Sequence, residues 1–211
     1  MKNFAGVSLP IAVAIFVGAL PGTLIGFIYG LMAGLVAEYV DPSFLSVLGG
    51  LVQGTSGLVG LIVNSYLLGG ILSFALKVAR GQPVAFGDVF SGGRYFGKML
   101  VAQLCAAIAV GLGFVLCVIP GYIVLYGICL YGFLIVDQDL GGVDALKKSW
   151  EMTKGHRVNI FVLHLLALVV VIAGGLACGI GVLLGSIPIL VIAGAFMYLR
   201  IKGEQPRLAG T

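Results

Sequence analysis

The sequence predicts an all-α protein, a polytopic membrane helical bundle, and three observations support this. Of 211 residues, 60% are hydrophobic and only 9% are charged, whereas about 25% charged is usual for a soluble domain. Glycine contributes 34 residues, more than twice its usual share of about 7%. Asp, Glu, Lys and Arg are absent from four long stretches, residues 3–37, 42–76, 99–136 and 158–199. Most of the chain is therefore expected to lie in lipid.

This composition excludes several classes of protein. A soluble enzyme needs charged faces around its core, and a disordered tail needs few apolar residues. A disulfide-dense secreted module needs more than the 4 cysteines present here. The net charge of +4 is not gathered into one basic domain, so nucleic acid is not an expected partner.

The charge-free stretches can be measured against the membrane. A helix that crosses the hydrocarbon core, about 30 Å thick, needs about 20 residues. The first two stretches each fit one long or tilted crossing, whereas the third and fourth are long enough to fold back. We expect breaks at Ile119-Pro120-Gly121, because proline disfavours helix before it, and at the glycines between 174 and 181. The six predicted spans are about 11–37, 50–76, 99–119, 121–137, 158–177 and 181–200.

The basic residues orient these six spans. With six crossings, all 12 Lys and Arg fall on the side of the N-terminus, whereas the opposite loops, near 38–46, 119–121 and 176–181, hold none. This is the positive-inside pattern. We therefore expect one integral membrane domain over residues 1–211, in the cell inner (cytoplasmic) membrane, with both termini cytoplasmic.

A short amphipathic helix is predicted at about 142–154, between the fourth and fifth spans. Val143, Leu146 and Trp150 recur at i, i+3 and i+7, and charged residues fill the remaining surface. Gly155 is expected to end the helix. Such a helix lies on the membrane surface, and the alternative is a helix that binds a partner.

The segment between the second and third spans, residues 81–97, also suits the edge of a membrane. It mixes aromatic with basic residues, which is typical of the headgroup layer. The pattern favours recognition of an anionic lipid or simple anchoring of the loop, so membrane lipids are expected partners. The residues expected at the interface in the two segments are Arg94, Lys98, Lys147, Lys148 and Trp150.

Several short motifs occur in a fixed order along the second half of the chain. They occupy residues 76–81, 88–90, 96–98, 119–121 and 144–155. In this order the chain resembles a group of uncharacterised prokaryotic six-helix integral membrane proteins, similar to the membrane domain of some glycerophosphodiester phosphodiesterases. The resemblance covers about residues 70–200 and implies a six-helix bacterial or archaeal membrane protein. The soluble catalytic barrel of those enzymes has no counterpart here, so their activity is not implied.

A glycine ladder is the strongest local pattern in the chain. The first span carries glycine at every fourth position, at Gly18, Gly22, Gly26, Gly30 and Gly34. Glycines four apart form a flat groove against which another helix backbone packs closely, as in many membrane helix pairs. The second span offers a similar small face at Gly50, Gly54, Gly57 and Gly60. Three interpretations stay open: contact between the first two spans, self-association, or a pore lined by these helices.

Few strongly polar residues lie within the charge-free stretches. Asn64 and Gln103 are expected to bond across helices or to water, at roughly 0.6–2 kcal/mol each. His164 is the only histidine within a predicted span. It is interpreted either as a proton-sensitive gate or as a neutral histidine bonded to a neighbour. Asp137 and Asp139 follow the fourth span and are interpreted as a solvated helix end, with cation or headgroup binding as the alternative.

No signature of an enzyme appears in the chain. It lacks Gly-x-Ser-x-Gly, His-Glu-x-x-His and a phosphate-binding glycine loop with lysine. The cysteines show no Cys-x-x-Cys spacing and no histidine at ligand spacing, so neither a metal site nor a cofactor is expected. Cys117 and Cys178 both fall near the outer face of the six-span arrangement, where a disulfide is a hypothesis.

These patterns predict function only in outline. We expect a non-enzymatic structural or accessory membrane protein that works through glycine-mediated helix packing. Its partner is expected to be another copy of the chain, giving a homo-oligomer, or a different membrane protein. The alternative is a passive pore, a small-solute channel or a transporter.

Overall fold

The computed structural model describes residues 4–176 and 186–205. These residues form eight α-helices and one 3-10 segment and contain no strand, which confirms the all-α class. The elements are α1 Phe4–Val36, α2 Pro42–Ala79, the 3-10 segment Phe86–Tyr95, α3 Phe96–Leu116, α4 Val118–Ile128, α5 Tyr131–Gln138, α6 Gly142–Met152, α7 Arg157–Leu176 and α8 Ile187–Lys202.

The described ranges contain fewer candidate membrane crossings than the six predicted. Four stretches are long and apolar enough, Val7–Val36, Pro42–Ala79, Phe86–Leu116 and Val118–Gln138, or five if α6 and α7, bent by 101°, form one broken span. The last two predicted spans fall on α7 and α8. The described length of α8 is 16 residues, only about 24 Å at 1.5 Å per residue. The break predicted at the glycines from 174 to 181 does not begin at Gly174 or Gly175, because α7 continues through both to Leu176; the rest of that stretch lies outside the described residues.

The break between the third and fourth predicted spans lies earlier than expected. Cys117 has an extended backbone, with φ −174° and ψ 158°, and α4 begins at the next residue. Pro120 therefore lies in the first turn of α4, where its missing N–H costs no intrahelical hydrogen bond. The prediction of a break at residues 119–121 is corrected for this reason: the proline begins a helix and does not end one.

The fourth predicted span is itself interrupted between α4 and α5. The backbone N–H of Leu130 donates to the Ser149 hydroxyl at 3.1 Å, and that hydroxyl donates to the Gly127 carbonyl at 3.1 Å. The Thr153 hydroxyl donates to the same carbonyl at 2.9 Å. A side chain inserted into the helical ladder is a recognised cause of a kink. α6 therefore supplies the partners that the interrupted helix would otherwise lack.

α6 contacts the bundle through a face beside the apolar face that is predicted to lie on the membrane surface. Val143, the first predicted apolar position, is 44% exposed. The buried positions are Gly142, Ala145 and Ser149, each one residue earlier than the predicted set. A Cβ on Gly142 would lie 2.7 Å from the carbonyl oxygen of Lys98 in α3. Small residues therefore face the bundle because α6 crosses α3 at backbone contact distance.

The 3-10 segment is held against α2 in the same close manner. A Cβ at Gly70 would overlap the backbone of Val89, and a Cβ at Gly92 would overlap the backbone of Tyr66. The Tyr66 hydroxyl donates to the Phe90 carbonyl at 2.7 Å. Only glycine fits at these two positions, because the backbones of the two elements touch.

The buried core lies towards one end of the bundle. One cluster joins the C-terminal half of α2 with α5, α8 and the start of α3, around Met99, Leu134 and Tyr198. A second cluster joins the start of α1 to α2 around Ile11 and Phe74. The remaining part of α1 and the first half of α2 form an apolar hairpin that is largely exposed in the described protomer.

Candidate functional site

The glycine ladder of α1 is almost entirely open. A Cβ built on Gly22, Gly26, Gly30 or Gly34 meets nothing within 4 Å among the described residues, and we call these four residues the open glycine face. Gly18 differs, since its Cβ would lie 2.9 Å from Cδ1 of Leu67. The glycines of α2 that are likewise open are Gly50, Gly54, Gly57 and Gly60. The two glycine rows therefore do not pack against each other at backbone distance.

Other contacts hold α1 and α2 together in this region. The Tyr29 hydroxyl donates to the Leu45 carbonyl at 2.5 Å. A Cβ on Gly49 would lie 2.7 Å from that hydroxyl oxygen. Nearer the core, a cavity of about 470 Å³ separates the two helices and is lined by Gly18, Gly22, Thr23, Gly60 and Asn64 among others. At Tyr29 the two helices thus contact each other through the tyrosine side chain. Nearer the core, the cavity lies beside their glycines.

The three predicted intramembrane polar residues lie in different surroundings. Gln103 meets the fully buried Ser65, whose hydroxyl lies 3.0 Å from the Gln103 amide oxygen across α2 and α3. Asn64 is exposed on the wall of the α1–α2 cavity. The Nδ1 atom of His164 lies 2.8 Å from the Ile160 carbonyl oxygen. Since a carbonyl oxygen only accepts, Nδ1 carries the proton in this contact, which lies within the helix of His164 itself.

The predicted basic residues lie near the ends of α3 and α6. Lys98 forms an ion pair with Asp139 at 2.8 Å and donates to its carbonyl oxygen at 2.7 Å. Lys148 donates to the Gln138 side-chain oxygen at 2.5 Å, whereas Lys147 is exposed. Asp139 has a left-handed backbone with φ 52°. Lys98 lowers the pKa of the exposed Asp139 carboxyl, chiefly through the hydrogen bond that it donates to the side-chain carboxylate.

Trp150 is half-buried and packs on the fourth predicted span. Its ring lies so close to Gly127 that a Cβ there would overlap it. The guanidinium of Arg157 lies over the Trp150 ring, 4.2 Å from the ring centroid. The guanidinium of Arg94 lies 5.8 Å from the ring centroid of Tyr95. Both arginines are thus placed beside aromatic rings, within the range of a cation–π contact.

A charged cluster that no sequence pattern predicted surrounds the buried side chain of Asp137 at the core end of the bundle. The side chain of Asp137 is only 5% exposed, with Arg80 at 2.5 Å and Lys202 at 2.6 Å. The Tyr198 hydroxyl donates to the same carboxylate at 2.8 Å. Glu204 completes the set with ion pairs to Arg80 at 3.0 Å and to Lys202 at 2.5 Å. The interpretation of Asp137 as a solvated helix end is wrong, because three elements close over it.

Charge balance explains why this cluster is tolerated. Two cations face two carboxylates, and each buried oxygen of Asp137 has a partner, so no charge is left buried alone. Hydrogen bonds from Lys202 and Arg80 lower the pKa of Glu204. A sequence signal exists, since Tyr198 and Lys202 are four apart in one helix and present one face. Only the packing of α2, α5 and α8 brings that face to Asp137.

Two further hypotheses concern cysteines and metals. Cys178 lies outside the described residues, so its pairing with Cys117 is not addressed by the structure. Within residues 4–176 and 186–205, no group of three or more His, Cys, Asp or Glu side chains is placed to hold a metal ion.

The fold and the open hairpin define the class of the protein. It is all-helical, and several of its helices are long and apolar enough to cross a membrane, which is consistent with a membrane protein. More particularly, the chain belongs to the DUF7847 family, described as a domain of unknown function, which matches residues 2–204.

The curated relatives are mycobacterial. The chain is 34% identical over 141 residues to the uncharacterized protein Rv2560 of Mycobacterium tuberculosis and, to the same extent, to the uncharacterized protein Mb2590 of Mycobacterium bovis. These matches cover 66% of this chain but only 42% of each relative. Membership of an uncharacterised prokaryotic family is therefore confirmed. No solved structure matches the chain significantly.

Proposed function

We propose that this protein is a non-enzymatic structural or accessory membrane component that associates with copies of itself through the open glycine face. The observation that carries the proposal is that Gly22, Gly26, Gly30 and Gly34, four residues apart, have no packing partner within the described protomer. Large apolar side chains flank them on the same hairpin, including Phe27 at 69% exposure. Homo-oligomer formation would cover this surface.

The glycines of the open glycine face are energetically costly in an isolated helix. Each glycine in a helix costs roughly 1 kcal/mol relative to alanine. Nothing in the described protomer offsets this cost at the four positions. A second helix seated on the groove offsets it through close backbone contact, which is the usual role of small residues four apart in lipid.

A second copy of α1 is the partner that this geometry favours. A two-fold axis brings the same surface of both subunits together, so one stripe of small residues that is complementary to itself can form the whole interface. A stripe with a period of four drifts about 40° per step around the helix, because four residues advance 400°. Two such stripes match in a right-handed crossing near −40°. A different membrane protein with an equivalent stripe is the alternative partner.

The decisive experiment compares Gly26→Leu with Gly111→Leu in nanodiscs, with particle mass as the readout. Gly26 and Gly111 are both open glycines on long apolar helices, so neither substitution is expected to disturb the protomer. We expect Gly26→Leu to convert an oligomer into a monomer and Gly111→Leu to leave the mass unchanged. A wild-type monomer, or equal behaviour of the two variants, would contradict the proposal.

A passive pore is the second candidate function. It is favoured by the cavity between α1 and α2, whose wall includes the polar side chains of Thr23 and Asn64. In this alternative, liposomes containing the protein pass small solutes, and Gly22→Leu, at the cavity wall, stops the flux while Gly111→Leu does not. A defined oligomer without flux supports the structural role.

We also propose the finer topology and placement. Six spans, with α7 and α8 as the last two, place all 12 basic residues on one side, and an inner membrane with both termini cytoplasmic follows from that asymmetry. Labelling of Lys77 and Lys148 from one face of sealed vesicles tests this topology, and reactivity from opposite faces would refute it. The likeness to the membrane domain of glycerophosphodiester phosphodiesterases remains a proposal about architecture alone.

A further inference from the structure

A large cavity lies between α7 and α8. Its volume is about 660 Å³. One end is polar, with His156, Asn159 and Arg200 on its wall. The remaining wall is apolar and includes Val162, Leu166 and Phe196. The cavity is therefore amphipathic, with its polar end at the start of α7 and the end of α8.

A second cavity continues the first into the bundle. Its volume is about 220 Å³, and it shares Leu163 and Met197 with the first cavity. It extends along the two helices to Ala167 and Leu190. The eleven residues from Leu190 to Arg200 are separated by ten helical steps, about 15 Å, which is half of the ~30 Å hydrocarbon core. The combined groove thus has the depth of one leaflet.

The charges at the polar end favour an anion. Arg80 and Lys202 are paired with carboxylates, whereas Arg200 has no carboxylate within 4 Å in the described ranges. No acidic residue of those ranges lines either cavity, and the first turn of α7 contains none. The free N–H groups of that turn carry the positive end of the helix dipole, which adds to the attraction.

We propose that this groove binds one anionic phospholipid, with its phosphate at His156, Asn159 and Arg200 and an acyl chain along α7 and α8. Guanidinium and imidazole N–H groups and an amide are suitable donors to phosphate oxygens. The apolar continuation distinguishes a lipid from a free anion, because inorganic phosphate would leave Leu163 and Met197 in contact with an empty groove. The site is separate from the open glycine face on α1.

The test counts bound lipids by native mass spectrometry of the full-length protein in detergent. The probes are phosphatidylglycerol and phosphatidylcholine, titrated separately. We expect one phosphatidylglycerol to bind at least tenfold more tightly than phosphatidylcholine. Arg200→Gln should weaken this binding about tenfold, the effect of losing one charge-assisted hydrogen bond, and Arg200→Lys should restore part of it.

Lys147→Gln is the matched control, since Lys147 is also exposed and basic but does not line either cavity. It should change phosphatidylglycerol binding less than twofold. Leu166→Trp fills the groove at a side chain that is 59% exposed, so it should weaken binding of the lipid without affecting the fold. Equal losses in Arg200→Gln and Lys147→Gln, unchanged binding in Leu166→Trp, or displacement of the lipid by millimolar inorganic phosphate would each overturn the proposal.

Discussion

At the scale of single residues, two hydroxyls, one on α6 and one directly after its last residue, bond to the interrupted helix of α4 and α5. Ser149 and Thr153 are fully buried, and both donate to the carbonyl oxygen of Gly127. Ser149 also accepts the Leu130 N–H, which the interruption between α4 and α5 leaves without a helical partner. A buried backbone N–H without a partner is costly, so the interruption depends on one side chain from a neighbouring helix.

Ser149→Ala is expected to lower the free energy of unfolding by about 1–3 kcal/mol, the cost of leaving a buried donor unsatisfied. Reversible unfolding in mixed micelles measures this quantity. Ser46→Ala is the matched control, since the Ser46 hydroxyl donates to the Ser43 carbonyl on an exposed surface. The control should change stability by less than ~0.5 kcal/mol. Equal effects of the two substitutions would mean that the bridge across the interruption contributes nothing.

At the scale of the elements, close helix packing occurs away from the periodic glycine ladder. α6 touches α3 at Gly142, and the 3-10 segment touches α2 at Gly70 and Gly92. These glycines have no regular spacing, so no sequence period identified them. The ladder at Gly22–Gly34 has the regular spacing but no neighbour in the described protomer. Spacing therefore indicates a surface suited to a helix and does not indicate which helix occupies it.

Gly142→Ala is expected to destabilise the protein by about 1–3 kcal/mol, because an added methyl group must push α6 away from the α3 backbone. Thermal unfolding in detergent, followed by circular dichroism, measures the change. Gly111→Ala is the control at an open helical glycine, where alanine should leave stability unchanged or raise it by up to ~1 kcal/mol. A stable Gly142→Ala variant would show that the α3–α6 crossing is looser than the structure indicates.

At the scale of the whole molecule, the described protomer is asymmetric along its length. The core and the charged cluster around Asp137 lie at one end, where α2, α5 and α8 meet. The opposite end is the α1–α2 hairpin, whose surface is mostly apolar and exposed. The first end is stabilised by internal contacts, whereas the second offers its surface to lipid or to another subunit.

Acidification is expected to weaken the charged end. The pKa of Glu204 is lowered by Lys202 and Arg80, and the pKa of Asp139 is lowered by Lys98. A lowered carboxyl pKa contributes stability that is present above the ordinary value, 4.5 for Glu204, and that is lost as the pH falls through the lowered value. The melting temperature should therefore be steady between about pH 6 and 8 and fall below about pH 4.5.

Glu204→Gln should make the melting temperature less sensitive to pH in the acid range, since one of the titrating groups is removed. Glu151→Gln is the control, because Glu151 forms no ion pair in the described part of the chain. It should retain the wild-type profile. An unchanged profile in Glu204→Gln would assign the acid sensitivity to other carboxylates.

The sequence by itself determined the class of protein. An apolar composition and charge-free stretches of helix length favour a lipid environment whichever helices pack together. The sequence also located α3, α6 and α7 to within about three residues at each end, whereas α1 and α2 begin about seven and eight residues before their predicted starts. Only the tertiary structure decided which glycines are in contact, which face of α6 is buried and that Asp137 is enclosed. The physical reason is that burial depends on which helices meet. An open glycine and a packed glycine are identical in sequence, and a carboxylate can be buried only where Arg80 and Lys202 from two other helices reach it.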